Sequence, residues 1–236
     1  MTDKKQGKIL KIGMAAILLV SMYFAAREGA AYVASGDIAL KKEEKVCVVI
    51  DAGHGGDDPG KVGINGALEK DINLQIAWKL KAFLEAQDVE VIMTRMDEHG
   101  LYDEKSSGKK VQDMKRRIEI IEEAQPEVVV SIHQNSYPEE YVKGAQVFYY
   151  DNSAEGQRLA ELMQKCLRDR LDPENKREAK GNSSYYLLKK TSCPIVIAEC
   201  GFLSNQKEAE ILKDSVYQEK VAWALHMGIM QFLYTQ

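Results

Sequence analysis

Short apolar runs alternate along this chain with longer segments in which apolar residues recur every three or four positions. The short runs predict buried strands and the longer segments predict amphipathic helices. The predicted strands are residues 48–50, 89–94, 128–132, 142–150, 185–188 and 194–199. The predicted helices are residues 69–87, 111–124, 153–171 and 215–234. Because strands alternate with helices, we expect a single α/β domain: a mostly parallel twisted sheet of about six strands, with helices on both faces.

The first 36 residues follow a different pattern. Four lysines between positions 4 and 11 precede an uncharged, mostly apolar run at residues 12–26. This order is typical of an export signal, and the lysines argue against a buried core helix. The run has 15 residues, fewer than the roughly 20 of a membrane span, and small residues at 29–31 offer a cleavage site. A cleaved signal peptide and a retained membrane anchor both stay open.

The remaining chain is predicted to be a polar linker, residues 37–45, and one folded domain, residues 46–236. An export signal places that domain outside the cytoplasm. The formal net charge of −4 gives no electrostatic reason to expect nucleic-acid binding. Cys193 and Cys200 flank one predicted strand, which holds them roughly 23 Å apart, too far for a disulfide. We expect the four cysteines to be buried free thiols.

Polar residues with metal-binding chemistry follow three of the predicted strands or begin a helix. His54 lies in a glycine-rich loop after the first strand, His133 and Glu199 end two later strands, and Glu69 begins the first helix. Ligands bind at the carboxyl edge of such sheets. Two histidines and one carboxylate make the three protein ligands of a catalytic Zn²⁺. Glu199 is then free to act as the base that deprotonates the bound water.

Four motifs carry a family resemblance over residues 46–234: VVIDAGHGGDDPG, the helix start at Glu69, SIHQN and ECGFLSN. They resemble the zinc-dependent N-acetylmuramoyl-L-alanine amidases of the amidase-3 type. The resemblance implies zinc ligation by His54, Glu69 and His133, with Glu199 as general base and then as acid to the leaving amine. The implied reaction is hydrolysis of the amide between N-acetylmuramic acid and L-alanine in peptidoglycan.

The single catalytic domain and the form of ECGFLSN are most similar to amidases of sporulation and germination. That narrower resemblance implies a role in maturation of the spore cortex, where muramic δ-lactam forms. The protein would then act between the forespore membranes, and whether it needs an accessory activating protein stays open. Two other functions also stay open: a different zinc peptidoglycan hydrolase, such as a carboxypeptidase acting on the stem peptide, and a wall-binding protein without catalysis.

Four further polar residues lie near motif positions and are candidates to support the site: Asp51, Asn73, Arg95 and Asn135. Asp51 is expected either to cap the loop or to orient a ligand histidine. Arg117 is a fifth candidate, but IEIIEEA follows it in place of the Arg-x-x-x-Ala-Asn pattern usual in the family.

Four other residues are expected to be structural. Asp57 and Asp58 are interpreted as turn residues, since Asp-Pro-Gly is good turn chemistry. His99 is interpreted as a loop histidine, and His226 as a surface histidine or a core histidine whose hydrogen bonds are satisfied.

Overall fold

The structure, a computed structural model, describes residues 3–34 and 45–235. Helix α1 spans Asp3–Ala34. Within it, the 21 residues Lys11–Ala31 are long and apolar enough, by length and composition, to cross a membrane. This span is longer than the 15-residue run because the helix continues past residue 26 without interruption. Apart from Lys45, the predicted linker lies outside the described residues.

Residues 45–235 contain one six-stranded sheet in the order β2-β1-β3-β6-β4-β5. The strands are β1 Cys47–Ala52, β2 Glu90–Met93, β3 Val128–Asn135, β4 Gln146–Tyr149, β5 Lys180–Gly181 and β6 Ile195–Phe202. The helices are α2 Glu69–Glu85, α3 Lys109–Ala124, α4 Ala154–Leu171, α5 Tyr186–Lys190, α6 Gln206–Leu212 and α7 Ser215–Tyr234. Neighbouring strands are parallel except for β4 and β6. The predicted α/β fold with a mostly parallel sheet is confirmed.

Alternate residues of the central strands face two separate apolar layers, because successive side chains of a strand point to opposite faces. On one face, side chains such as Ile50, Ile132 and Ala198 pack with helices α2, α4, α6 and α7. On the other face, Val129 and Ile197 pack with helices α3 and α5. The prediction of helices on both faces is confirmed, and the larger part of the core lies on the first face.

Several predicted elements differ from the observed ones. The predicted strand at residues 185–188 is wrong, because this segment begins helix α5. The short strand β5 and helix α6 were not predicted. The predicted strand at residues 142–150 is shorter and runs antiparallel to β6. All four cysteines are free thiols, but only Cys166 and Cys200 are fully buried.

Candidate active site

The loop after β1 carries His54 in the left-handed backbone region, at φ 64°. Non-glycine residues adopt this conformation only where their surroundings hold them in it. Here Arg117 donates from Nη2 to the His54 carbonyl at 2.6 Å and from Nη1 to the Ala52 carbonyl at 2.9 Å. Arg95 donates to the Ala52 and Gly53 carbonyls and also to the carbonyl of Lys70 at the start of α2. Two arginines therefore fix the loop backbone that positions His54.

The buried ion pair between Arg117 and Asp51 supports the backbone of this loop. Asp51 Oδ1 accepts from Arg117 Nη1 at 2.6 Å and from Thr94 Oγ1 at 2.7 Å, and Oδ2 accepts from Ser131 Oγ at 2.6 Å. Burial alone would raise the pKa of Asp51, but Arg117 and the two hydroxyl donors outweigh it and lower the pKa to about 2. Asp113 binds the other side of the guanidinium, Nε to Oδ2 at 2.6 Å. Asp51 is therefore ionised and contacts no ligand histidine by hydrogen bond among the described residues.

His54, Glu69 and His133 converge on one point, with one potential ligand atom from each within 4.8 Å of the others. Glu69 Oε1 lies 3.2 Å from His54 Nε2 and 2.9 Å from His133 Nδ1. The two imidazole rings are edge to face, with centroids 4.9 Å apart. Burial alone would raise the pKa of Glu69, but hydrogen bonds with His133 and His54 hold it well below its usual range. Two nitrogens and one anionic oxygen thus face a common point.

Glycines allow this close approach. A Cβ added to Gly53 would overlap the His133 ring. A Cβ added to Gly60, which has φ +67°, would meet Glu69 Oε2 and His54 Cδ2. The glycine-rich loop therefore folds directly against the three side chains, and larger residues at these two positions would displace them.

Asp58 was interpreted as a turn residue, and the structure gives it a second contact. Its Oδ1 accepts from the Gly60 amide at 3.1 Å, which is the expected turn, while its Oδ2 lies 3.0 Å from His54 Nδ1. Burial would lower the pKa of His54, but its contacts with Glu69 and Asp58 raise it above the ordinary value. A carboxylate on the far nitrogen fixes the ring orientation and the tautomer of a ligand histidine.

Glu199 lies on the neighbouring strand directly opposite His133 in the parallel pairing of β3 and β6. Its residue is 8% exposed, and within the described part of the chain its Oε2 is buried without a hydrogen-bond partner. Burial raises the pKa of Glu199 to about 7; Glu69 adds to this rise and the two histidines oppose it. A carboxylate without a protein partner is costly to bury, so this oxygen is available to something inside the cleft.

A cleft of ≈ 460 Å³ opens over these groups. Its lining includes His54, His133 and Glu199, Tyr102 from the segment before α3, Lys109 at the start of α3, and Tyr185 and Tyr186 at the start of α5. The long polar segment between β2 and α3 thus borders the cleft, and loops of this length are often functional.

The supporting candidates fall into two groups. Asp51 and Arg95 hold the His54 loop as described, and Asn73 donates to the Gly53 carbonyl at 3.1 Å and to Glu69 Oε1 at 3.4 Å. Asn135 does not join them: its side-chain oxygen accepts from the next amide, Ser136, at 2.8 Å. The pairing of β3 with β6 shifts after His133, which moves this residue past the site.

Gln134 was not among the candidates, although it holds both Glu69 and Asn73. Its amide donates to Glu69 Oε1 at 3.0 Å, and its side-chain nitrogen donates to Asn73 Oδ1 at 3.1 Å. In the sequence, only its position directly after His133 indicated that Gln134 could belong to the site. His99 is exposed beside Asp97, as expected for a loop histidine. His226 is buried on α7 between aromatic rings, but both of its ring nitrogens lack a hydrogen-bond partner among the described residues, so the expectation of a surface or satisfied core histidine is wrong.

An α/β domain in which two histidines, a glutamate and a separate buried carboxylate face one cleft is typical of metal-dependent hydrolases. The profile of the amidase-3 family, described as N-acetylmuramoyl-L-alanine amidase, matches residues 48–231. The chain belongs to this family. The predicted α/β amidase, an enzyme that acts on peptidoglycan, is confirmed at the level of the family.

Individual relatives agree with that assignment. The chain is 37% identical over 188 residues to the germination-specific N-acetylmuramoyl-L-alanine amidase of Bacillus subtilis, covering 78% of each chain. It is also similar to the CwlD amidase of Clostridioides difficile, solved in complex with the GerS lipoprotein. That match has 40% identity and a TM-score of 0.79, and it covers 81% of this chain and all of that one. The amidase AmiC2 of Nostoc punctiforme matches at 33% identity and a TM-score of 0.69, covering 80% and 97% of the two chains. The predicted resemblance to germination amidases is confirmed.

Proposed function

We propose that His54, Glu69 and His133 hold a catalytic Zn²⁺. In a tetrahedral site with bonds of 2.0–2.1 Å, neighbouring ligand atoms stand roughly 3.3 Å apart. Glu69 Oε1 lies 3.2 Å and 2.9 Å from the two imidazole nitrogens, so these two separations are close to the spacing that a small tetrahedral ion requires, and all three donor atoms lie within 4.8 Å of one another. Two imidazoles and one carboxylate are a recognised catalytic zinc set that leaves one position for water. Asp58 on the far nitrogen of His54 completes the arrangement.

Glu199 is the general base of the proposed reaction, and its free oxygen in the cleft is the observation that carries this assignment. Zinc, when bound, polarises the substrate carbonyl and lowers the pKa of water from 15.7 towards about 7. A cation at the three ligands also lowers the pKa of Glu199 from its metal-free value, because a nearby positive charge favours the carboxylate. Glu199 then removes the proton of the attacking water and passes it to the nitrogen of the leaving amine.

The scissile bond is the amide between the lactyl group of N-acetylmuramic acid and L-alanine. The products are an intact glycan and a free peptide with a new L-alanine amino terminus. His54, Glu69 and His133 supply the metal site, while the walls of the cleft hold the sugar and peptide on either side of the bond. This proposal rests on family membership together with the clustered side chains.

Mass spectrometry of purified cortex or wall after digestion by the full-length protein tests the chemistry. New L-alanine amino termini on released peptides, with no new reducing ends, are expected. Glu199→Gln is the matched control, because the amide is nearly isosteric but does not accept the proton, and it should lower turnover by about 10²–10⁴-fold. Shortened stem peptides still attached to glycan would instead identify a carboxypeptidase, and intact muropeptides with wild-type protein would identify a binding protein without catalysis.

The biological role that we propose is maturation of the spore cortex outside the cytoplasm. Residues 1–36 act as export signal or anchor, residues 37–45 as linker and residues 46–236 as the catalytic domain. Support comes from α1, in which the 21 residues Lys11–Ala31 are long and apolar enough, by length and composition, to cross a membrane, and from the relative named for germination. Removal of the peptide exposes the muramic acid from which δ-lactam forms, after a separate deacetylation. By analogy with the relative solved with a lipoprotein, an accessory partner of that kind is part of the proposal.

Deletion of the gene tests this role separately from the chemistry. Spores of the deletion strain should lack muramic δ-lactam and fail to complete germination, while expression of the wild-type protein, but not of Glu199→Gln, should restore both. Normal lactam in the deletion strain would overturn the cortex role and leave the amidase reaction intact.

A further inference from the structure

The lining of the cleft contains a tyrosine that has no role in the proposed reaction. Tyr185 directly precedes helix α5 and lines the cleft together with His133 and Glu199. The sequence alone led us to a strand here, which would have sent Tyr185 and Tyr186 to opposite faces. In the observed turn into α5, both side chains line the cleft.

Tyr185 is held firmly in place. Its amide donates to Asn182 Oδ1 at 2.9 Å, and the same oxygen also accepts from the amide of Ser184. Its ring packs edge to face on Phe148, with centroids 5.5 Å apart. The following Leu187 is buried in the second apolar layer. A group that is positioned before the substrate arrives costs no reorganisation during the reaction.

The packing on Phe148 also places Tyr185 near Glu199, the proposed general base. Phe148 pairs with Ile197 across β4 and β6, and both belong to the same apolar layer. Glu199 follows Ile197 by two residues on the same face, roughly 6.6 Å along the strand. Burial raises the pKa of Tyr185, and the charges of Glu199 and Glu69 add to the rise. The phenol therefore stays protonated at neutral pH and remains a hydrogen-bond donor.

Within residues 45–235, two of the three lysine and arginine side chains that line the cleft are already engaged, whereas Lys110 is exposed and makes no hydrogen bond or ion pair there. Arg117 binds two carboxylates and two carbonyls of the loop backbone. Lys109 pairs with Asp57 and Glu104. By contrast, the hydroxyl of Tyr185 makes no hydrogen bond to the described protein, although its ring is fixed. A rigid donor without a protein partner, beside the proposed base, fits a role towards the substrate.

We propose that the Tyr185 hydroxyl donates a hydrogen bond to the oxygen of the scissile carbonyl as that oxygen becomes negative. This inference rests on the proposed amidase reaction. Water oxygen forms a bond to the carbonyl carbon, the C=O π pair moves to oxygen, and Glu199 takes the water proton. The C–N bond then breaks as the oxygen pair returns, and the proton passes from Glu199 to the amine. Tyr185 keeps its proton throughout and stabilises the charge between the two steps.

The test compares Tyr185→Phe with Tyr234→Phe in the full-length protein. Tyr234 ends helix α7, is 66% exposed and does not line the cleft, so it is a matched control for loss of one phenol. Removing one donor to a developing oxyanion lowers kcat by about 10²-fold. We expect that loss for Tyr185→Phe on a soluble glycan–peptide, with KM unchanged, and less than a twofold change for Tyr234→Phe.

Binding measurements provide a second result that does not depend on turnover. A phosphinate that replaces the scissile amide mimics the tetrahedral anion, and Tyr185→Phe should weaken its calorimetric Kd by a factor similar to the loss in kcat. The Kd of intact substrate, measured in the Glu199→Gln background, should not change. A Tyr185→Phe protein with wild-type kcat, or one that loses substrate and phosphinate affinity equally, would overturn the inference. If Glu199→Gln itself kept full activity, the proposed reaction would fail instead.

Discussion

Replacing Asp51 by asparagine would remove one negative charge from beneath the site while leaving the shape of the side chain. The amide oxygen can still accept from Arg117 and Thr94, and the new NH₂ group faces the Ser131 hydroxyl, which can accept. The substitution therefore removes the charge at this position and keeps the packing. It tests whether the ion pair of Asp51 and Arg117 stabilises the loop that carries His54.

Two independent estimates give the size of the effect. The pKa of Asp51 falls from 3.8 to about 2, and at 1.36 kcal/mol per unit this corresponds to about 2 kcal/mol. Removing one partner of a buried ion pair costs about 3–5 kcal/mol, because the other charge stays buried. Asp113 still neutralises part of the Arg117 charge. We therefore expect Asp51→Asn to lower the free energy of unfolding by about 2–3 kcal/mol at pH 7.

Urea denaturation at several pH values measures this effect and its sign. Since the folded-state pKa of Asp51 is lowered, its stabilisation is complete above the ordinary value of 3.8 and is lost as the pH falls towards about 2. The difference between wild type and Asp51→Asn should be constant from pH 7 to 5 and shrink below pH 4. Asp57→Asn, which breaks an exposed pair with Lys109, is the control and should cost less than about 1 kcal/mol. A difference below about 0.5 kcal/mol at pH 7, or one that persists unchanged at pH 3, would refute the reasoning.

Three further results are expected. The full-length protein should bind about one Zn²⁺ per chain, and His54→Ala or His133→Ala should lose most of it in metal analysis, because two ligands make a poor tetrahedral site; full occupancy would remove that residue from the set. Gly53→Ala should weaken zinc affinity at least tenfold by pushing the His133 ring aside, whereas Gly108→Ala, whose Cβ would approach only Ser106 Oγ at 4.0 Å, should not; equal affinities would contradict the packing argument. The metal-free Glu199→Gln protein should have the same free energy of unfolding as the metal-free wild type at pH 4. At pH 8 its free energy of unfolding should be higher by up to about 3 kcal/mol, because ionising a buried acid whose pKa is raised costs free energy. A constant difference between the two proteins across this pH range would count against the raised pKa.

The three proposed ligands could be found in the sequence because each stands at the end of an apolar run or at the start of an amphipathic helix. Parallel strands bring such ends together whatever the rest of the fold does. Asp58 could not be recognised in the same way. Its turn with Gly60 and its contact with His54 use different oxygens of one carboxylate, and only the turn has a local sequence signature.

Elements that depend on tertiary packing were harder to predict. Residues 185–188 form too short an apolar run for a period to be visible, and the burial of Leu187 and Leu188 side by side is what makes the segment helical. The antiparallel direction of β4 has no local signal either. Helix α6 did have one: Asn205 precedes it and accepts from the amide of Glu208 at 3.0 Å, a cap that the sequence displays.

The alternation along β6 has a consequence for how such an enzyme can change over evolutionary time. Ile197 and Glu199 face the cleft layer, while Ala198 and Cys200 belong to the large core on the opposite side. Selection for a new substrate preference and selection for thermal robustness therefore act on interleaved positions of one strand, with few residues shared between them. Variants that reshape the cleft through α3 and α5 leave most of the stabilising core untouched. Substitutions that change the substrate preference should thus destabilise this protein less than they destabilise a protein whose active site lies within its main core.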